Sequence, residues 1–490
     1  MELDNPSIAT GERILLRCSV AADLTQAGQY EAAREALGEL WPGVGERPDV
    51  KSLPPMIAAE VLLQCGALTG HLGRARSVSG AQERAQDLLS EAARKFSSQG
   101  RHEKAAEAQC ELGACYWRLG AHDDARVMMR EALKPLTDAD VELKARIHVR
   151  RTLVEISENR YHDALSILRE AEPVFAFASD ALKGRWHGQK ALVLRRLATA
   201  EGRADYLDQA IIEYTAAIYH YEQAGHERYC GTNLNNLAFL LYKLGRHREA
   251  HEYLDRAQDI YRRLKDPGNL AQVDETRARI LVAERKYREA ERIIGGVIKT
   301  FEQGGDSALL ADALTVQGVI WSRLGAFDAS VSALKRAMQS AQEWGAHASA
   351  GQAALTLIEE HGLTWRLSEP ELSRIYVRAD SLLRDTQDAE DKERLLACAR
   401  VVIKRLSGMR MQDKNFSLYG AVHELEAKLI EQALEESDGS VTRAARLLGL
   451  KHQTLIAKLQ TKHNGLQKKR TPAERRLKSI IKKPQEKSIS

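Results

Sequence analysis

The sequence predicts an all-α fold, a long superhelix of paired helices followed by a small helix-turn-helix domain. Three observations carry this. Ala, Leu, Glu and Arg dominate the 490 residues, with only 11 prolines and 6% aromatics, and these are good helix formers. A small residue recurs with a period near forty. Near the end, GSVTRAARLLGLKHQTLIAKL (Gly439 to Leu459) reads as two short helices joined at a glycine.

The repeat is visible in three segments. They are ELGACYWRLGAHDDARVMMREAL from Glu111, NLAFLLYKLGRHREAHEYLDRAQ from Asn236 and QGVIWSRLGAFDASVSALKRAM from Gln317. Each has a helix, a Leu-Gly stop and a second helix with small residues. Gly120, Gly245 and Gly325 can end a helix in a left-handed conformation. Ala125, Ala250 and Ser330, five positions later, let the two helices approach closely, and Ala132, Ala257 and Ala337 follow seven positions on. The small residue recurs at Ala85, Ala125, Ala164, Ala210, Ala250, Ala290 and Ser330, in steps of 40, 39, 46, 40, 40 and 40. Ala33 is an earlier, separate instance. The 46-residue step points to an insert around ATAEGRADYLDQ.

This pattern resembles the tetratricopeptide repeat, although the usual period is about 34. The resemblance implies a stacked superhelix. It also implies that certain first-helix positions line a concave face that binds a protein or peptide. By register these include Trp117, Arg118, Asn235, Tyr242, Lys243 and Arg323. A basic residue recurs just before Leu-Gly, at Arg118, Lys243 and Arg323, where it can meet an acidic or C-terminal carboxylate group or lie as a solvated charge over apolar surface.

From Gly351 the repeat fades. SEPELSRIYVRADSLLRDT opens a helix with Ser368, Pro370 and Glu371. The expected organisation is a repeat array over 1–345, capping and connecting helices over 346–412, a helix-turn-helix over 413–464 and a basic disordered tail over 465–490.

The terminal unit begins with VHELEAKLIEQALEES, whose apolar residues follow a 3–4 spacing. Ser440 or Asp438 is the candidate cap of the next helix. Ala445, Gly449, Leu455 and Leu459 supply the small contact, the turn and the inner face that a helix-turn-helix requires. The stretch LIEQALEESDGSVTRAARLLGLKHQTLIAKL resembles the Fis-type helix-turn-helix of bacterial regulators. Ala433-Leu434, Gly439, Thr442, Ala444-Ala445, Leu448-Gly449-Leu450, Thr454-Leu455 and Lys458-Leu459 carry that likeness. It implies a second helix in the DNA major groove, used as a dimer.

With Leu455 and Leu459 inward, Gln453, Ala457 and Gln460 face outward. Gln pairs bidentately with adenine and Ala touches a thymine methyl. Thr442, Arg443, Lys451, His452, Thr454 and Lys458 are the phosphate candidates. Family-typical basic residues after Thr-Leu are replaced by Ile456 and Ala457.

Charge separates the two regions. Ser440 to Ser490 holds 14 Lys/Arg and 2 Asp/Glu, a net of +12, within a chain of net +4, so the rest carries −8. The basic clusters include Lys468, Lys469, Arg470, Arg475, Arg476 and Lys478, placed to track a DNA backbone.

The function expected is a DNA-binding bacterial transcription regulator, homodimeric and cytoplasmic, nucleoid-associated. Its partners are double-stranded DNA and a protein or peptide in the repeat groove. The alternative is a scaffold or adaptor whose terminal helices serve dimerisation. No ATPase loop, metalloprotease or nucleophile motif occurs. GGVIKT (Gly295 to Thr300) lacks the required glycine. No enzyme activity, cofactor or metal is expected. Neither a signal peptide nor an apolar run long enough to span a membrane is read, and the six scattered cysteines fit reduced, buried thiols.

Overall fold

The structure, a computed structural model, describes residues 10–76, 78–304, 307–364, 366–384, 386, 388–406 and 418–469. Among the described residues there are 23 α-helices, two short 3-10 helices and no strand. The chain divides into two compact units, Met1–Cys398 and Ala399–Ser490.

The first unit opens with α1 (Thr10–Gln26) and α2 (Tyr30–Leu37). Pairs then follow: α3 (Pro55–Ala75) with α4 (Ala81–Ser98), α5 (His102–Arg118) with α6 (His122–Leu133), and α7 (Val141–Ser157) with α8 (Tyr161–Glu170). The short α9 (Glu172–Phe175) precedes α10 (Asp180–Glu201), which pairs with α11 (Ala204–Gln223). Next come α12 (Glu227–Lys243) with α13 (His247–Arg263), α14 (Pro267–Ala283) with α15 (Tyr287–Gly304), and α16 (Ser307–Arg323) with α17 (Phe327–Glu343). The last pair is α18 (His347–His361) with α19 (Glu369–Leu383), followed by α20 (Ala389–Leu406), which crosses the unit boundary. Stacking therefore continues past residue 345, where the repeat pattern fades from the sequence.

One spacing explains the pairing. Ala33, Ala85, Ala125, Ala164, Ala210, Ala250, Ala290 and Ser330 are all 0% exposed. Each sits near the start of a second helix, where a larger side chain would force the pair apart. Opposing glycines add to the effect: a Cβ on Gly113 would meet Met129 at 2.9 Å, and one on Gly318 would meet Leu334 at 2.5 Å. Ser330 departs from alanine, and its hydroxyl donates to the Gly318 carbonyl at 2.6 Å. The 46-residue step holds no inserted loop. Its extra residues lengthen α10 and α11 to 22 and 20 residues.

The Leu-Gly stops behave as the spacing predicts. Gly245 has φ +74°, and the Arg246 amide reaches back to the Leu241 carbonyl at 2.9 Å. Asn159 and Arg285 hold the same place in their turns at φ +58° and +61°. The Gly295–Thr300 stretch lies inside α15, an ordinary repeat helix.

Between successive pairs, each second helix packs against the next first helix, and first helices also meet one another along much of the stack. This places the first helices on the inner side of a curved stack. The curve is tight enough to bring distant segments together. Lys243 on α12 reaches Glu390 on α20 at 2.9 Å, 147 residues away. A cavity of about 350 Å³ is lined by Tyr161 and Arg196 on one side and His347, Gln352 and Asp391 on the other.

One stretch, Pro55–Gly73 in α3, is long and apolar enough to cross a membrane, and 78% of it is buried inside the fold. All six cysteines are free and buried.

Two glycine substitutions should separate turn from helix. Gly245→Ala is expected to destabilise by about 1 kcal/mol through its left-handed backbone. Gly295→Ala, mid-helix with open space around it, is expected to stabilise by about 0.5–1 kcal/mol. Urea denaturation followed by circular dichroism reads both.

Candidate nucleic-acid interface and partner groove

The terminal unit is built on α21 (Leu418–Glu436), α22 (Val441–Leu447) and α23 (His452–Thr461), with a 3-10 turn over Asn464–Lys469. Ile430, Ala433, Leu434, Val441, Ala444, Ala445, Leu455 and Leu459 form its core. Leu455 and Leu459 are 0% exposed and Ala445 is 2% exposed. The α22–α23 turn closes at Gly449, with φ +64°, and the Leu450 amide donates to the Ala445 carbonyl at 2.8 Å. The α21–α22 turn uses the same device. Asp438 and Gly439 have φ +52° and +77°, and the Gly439 amide donates to the Leu434 carbonyl at 2.8 Å.

Ser440 occupies the N-cap position of α22, but its side chain makes no capping bond. The hydroxyl that secures this turn belongs to Ser437, which is buried and donates to the Ala433 carbonyl at 2.7 Å.

The structure sets the expected contact residues on the outside of α22 and α23. Thr442, Arg443, Lys451, His452, Gln453, Thr454, Ala457 and Gln460 are all exposed. Ile456 is half-buried and packs against the core. That explains why a basic residue is missing there, because a charge would disturb the packing. Residues 441–469 contain seven Lys/Arg and no carboxylate. On α21, five glutamates stand against one lysine.

Lys458 is half-buried and ion-paired with Glu426 of α21. The second oxygen of Glu426 receives His463 Nε2 at 3.0 Å. The His463 side chain is 1% exposed and its ring packs against that of His423 at 4.4 Å. Hydrogen bonds from Lys458 and His463 hold the Glu426 carboxyl below its usual range. Glu426 is absent from the sequence-based site. Its partners lie 32 and 37 residues away, one on α23 and one just after it, and only the folded core of the unit brings them together.

The expected tail begins within this unit. Leu466 packs on the core, and Gln467 donates to the Leu459 carbonyl at 3.1 Å. Lys468 is exposed at the end of this turn. The Lys469 side chain and Arg470, Arg475, Arg476 and Lys478 lie outside the described residues.

In the repeat unit the six groove residues lie on three first helices, and each of the three basic positions already has a partner. Arg118 Nη2 lies 3.2 Å from the His71 ring nitrogens. Lys243 pairs with Glu390, and Arg323 with Glu360 at 2.7 Å. Trp117 Nε1 donates to Ser157 Oγ at 2.7 Å. Tyr242 packs edge-on to Phe239 at 5.8 Å. Asn235 is half-buried and its Oδ1 accepts no hydrogen bond among the described residues.

Residues 421–461 match the model of the bacterial regulatory protein Fis family, and residues 234–264 match a tetratricopeptide repeat model. The chain carries tetratricopeptide repeats and a Fis-type helix-turn-helix. The Fis match covers α21 through α23, the three helices of the core just described. Solved structures of similar fold include a signal transduction ATPase (STAND) protein with a tetratricopeptide repeat sensor from Pyrococcus horikoshii. It is 12% identical, with 76% of this chain and 55% of that one covered and a TM-score of 0.48. Aspartyl phosphate phosphatase F from Bacillus subtilis is 13% identical, with 78% and 97% covered and a TM-score of 0.47. NprR in complex with its cognate peptide NprX is 14% identical, with 72% and 98% covered and a TM-score of 0.44. No curated protein matches the chain by sequence. Both modules are of regulatory and interaction types.

The Glu426 pair makes a pH prediction. A carboxylate whose folded pKa is lowered contributes stability above its ordinary pKa and loses it as pH falls through the lowered value. The Fis-type unit should therefore weaken in acid below the usual glutamate range. Glu426→Gln should cost about 0.5–1 kcal/mol at neutral pH and flatten that acid limb. Amide exchange at α23 measured by NMR between pH 7 and 3 checks both.

Proposed function

We propose that this protein is a cytoplasmic, nucleoid-associated bacterial transcription regulator that binds DNA as a homodimer through its Fis-type unit and takes a protein or peptide partner on the inner face of its repeats. The observation that carries the reading is the polarity of α23. Leu455 and Leu459 are fully buried while Gln453, Ala457 and Gln460 are exposed, on a stretch without a carboxylate. A buried stripe fixes the helix, and the opposite stripe is left for base edges. Thr442, Arg443, Lys451, His452 and Thr454 flank it as phosphate contacts. The basic tail, Lys468 to Lys478, adds further phosphate contacts in this reading.

Dimerisation is assigned to α21. Tyr419, Val422 and Leu429 are 72%, 47% and 48% exposed, and with half-buried Leu425 they follow helical spacing along one stripe. On the inner face of the repeats, Asn235 with its unsatisfied carbonyl oxygen is the position best suited to a backbone amide of a bound chain. Lys243 and Arg323 would first have to exchange their glutamate partners.

Fluorescence anisotropy of the full chain with a duplex DNA library should show binding that weakens steeply between 50 and 200 mM salt, as expected for phosphate neutralisation of about −0.9 in log–log slope per contact. Gln453→Ala should change sequence preference, whereas Lys458→Ala should weaken all sequences alike. Glu426→Gln, by releasing Lys458, should tighten binding and steepen the slope by about one contact. Absence of salt-sensitive binding would sink the DNA reading and leave the scaffold role, in which the α21 stripe serves association alone.

A further inference from the structure

A second cavity lies on the inner face of the repeats, about 250 Å³ in volume. Five successive first helices contribute to it, and the turn between α1 and α2 forms its outer edge. Tyr30, His71, Arg146, Arg150, Arg185 and Tyr229 are the walls that matter. Tyr30 stacks on His71 at 4.6 Å, and the Arg185 guanidinium lies 5.2 Å from the centre of the Tyr229 ring.

The charges here do not balance in the way the rest of the inner face does. Arg150 is matched by Glu111 at 2.5 Å, and Arg146 by Glu107 at 3.3 Å. Arg118, directly behind His71, has no ion pair among the described residues: it bonds to the neutral His71 ring and to the Cys115 thiol at 3.9 Å, and the nearby Glu111 carboxylate that acts on it is already paired with Arg150. Arg185 likewise meets aromatic rings and has no ion pair among the described residues. The other carboxylates at the cavity, Asp23 and Glu142, are exposed. Glu142 is already taken by the Ser179 amide and hydroxyl at 2.6 and 3.0 Å. Solvent screens exposed charges far more than enclosed ones. The enclosed part of the cavity is therefore positive.

His71 responds to that surplus. Burial and then the Arg118 charge push its pKa down to about 3, with Arg150 and Arg185 adding to the effect and Glu111 opposing it. Burial also lowers Arg118. A desolvated cation without an anion is a costly arrangement, and a planar guanidinium is suited to oxyanions.

We propose that this cavity is a binding site for a small organic anion, a carboxylate or phosphate monoester with an aromatic or otherwise flat body. Its oxygens sit between Arg185 and the His71–Arg118 pair, and its body lies against Tyr229 and Tyr30. The volume excludes a folded partner. The α1–α2 turn at the edge makes it a pocket within the groove, separate from a long peptide track. This goes beyond the partner reading above and does not depend on DNA binding.

The test uses the full chain without DNA. Isothermal titration is carried out with benzoate, phenyl phosphate, inorganic phosphate and the neutral isostere benzamide. Benzoate or phenyl phosphate should bind and benzamide should not. Preference between the two anions identifies the carboxylate or phosphate class. Arg185→Gln should weaken binding about ten- to hundred-fold, the scale of one lost charge-assisted hydrogen bond. Should that variant lose its helical circular dichroism, Arg185→Lys keeps the charge without the planar fork and should bind with intermediate affinity. Benzamide binding as well as benzoate, unchanged affinity in the folded variant, or no anion binding at millimolar concentration would each overturn the proposal. Capture of a peptide partner with no anion binding would overturn it while leaving the partner reading intact.

Discussion

The repeat unit depends on one constraint, the distance at which two helices can meet. From α2 to α17, a fully buried alanine in each second helix, or Ser330 with its hydroxyl bonded to Gly318, sets that distance. A wider contact would leave Leu254, Leu334 and Tyr261 with gaps around them. Close packing is what gives interior side chains their stabilising contacts. Because no single pair can bury both its faces, each one needs the next. The curvature of the whole stack follows from repeating one small offset.

The inner face is held differently. There the first helices meet through charged and polar side chains as well as apolar ones. Glu60–Lys104–Glu107–Arg146 runs from α3 across α5 to α7. Burial alone would raise Glu111, but Arg150 holds its carboxyl down to about 2. Buried ion pairs of this kind add little net stability over apolar packing, yet losing one partner leaves a stranded charge. They fix register between neighbouring repeats more firmly than they strengthen the fold. A surface with its charges mostly matched also makes the unmatched arginines near His71 stand out.

Much of this was legible in the sequence. The alanine series and the Leu-Gly turns repeat within forty residues, so their spacing survives without tertiary information. The helix-turn-helix was legible for the same reason: Ala445, Gly449, Leu455 and Leu459 interact within one short segment. The partners of Lys243, Arg118 and Lys458 were hidden. Glu390 lies 147 residues from Lys243, and only the pitch of the superhelix decides that they meet. Those lysine and arginine positions look unoccupied in the sequence and are engaged in the structure. The extra residues around ATAEGRADYLDQ were legible as an insert, but their form, longer α10 and α11, was not, because a longer helix and a longer loop give the same step in the period.

The division of charge in the Fis-type unit has a consequence of its own. Five glutamates line α21, while the segment from Val441 to Lys469 carries only positive charge. A small body with its charges separated this way is a permanent electric dipole. In the field of a polyanion it is turned before it is touched, basic side first. Productive encounters then form a larger share of all collisions, and that share falls as added salt shortens the reach of the field.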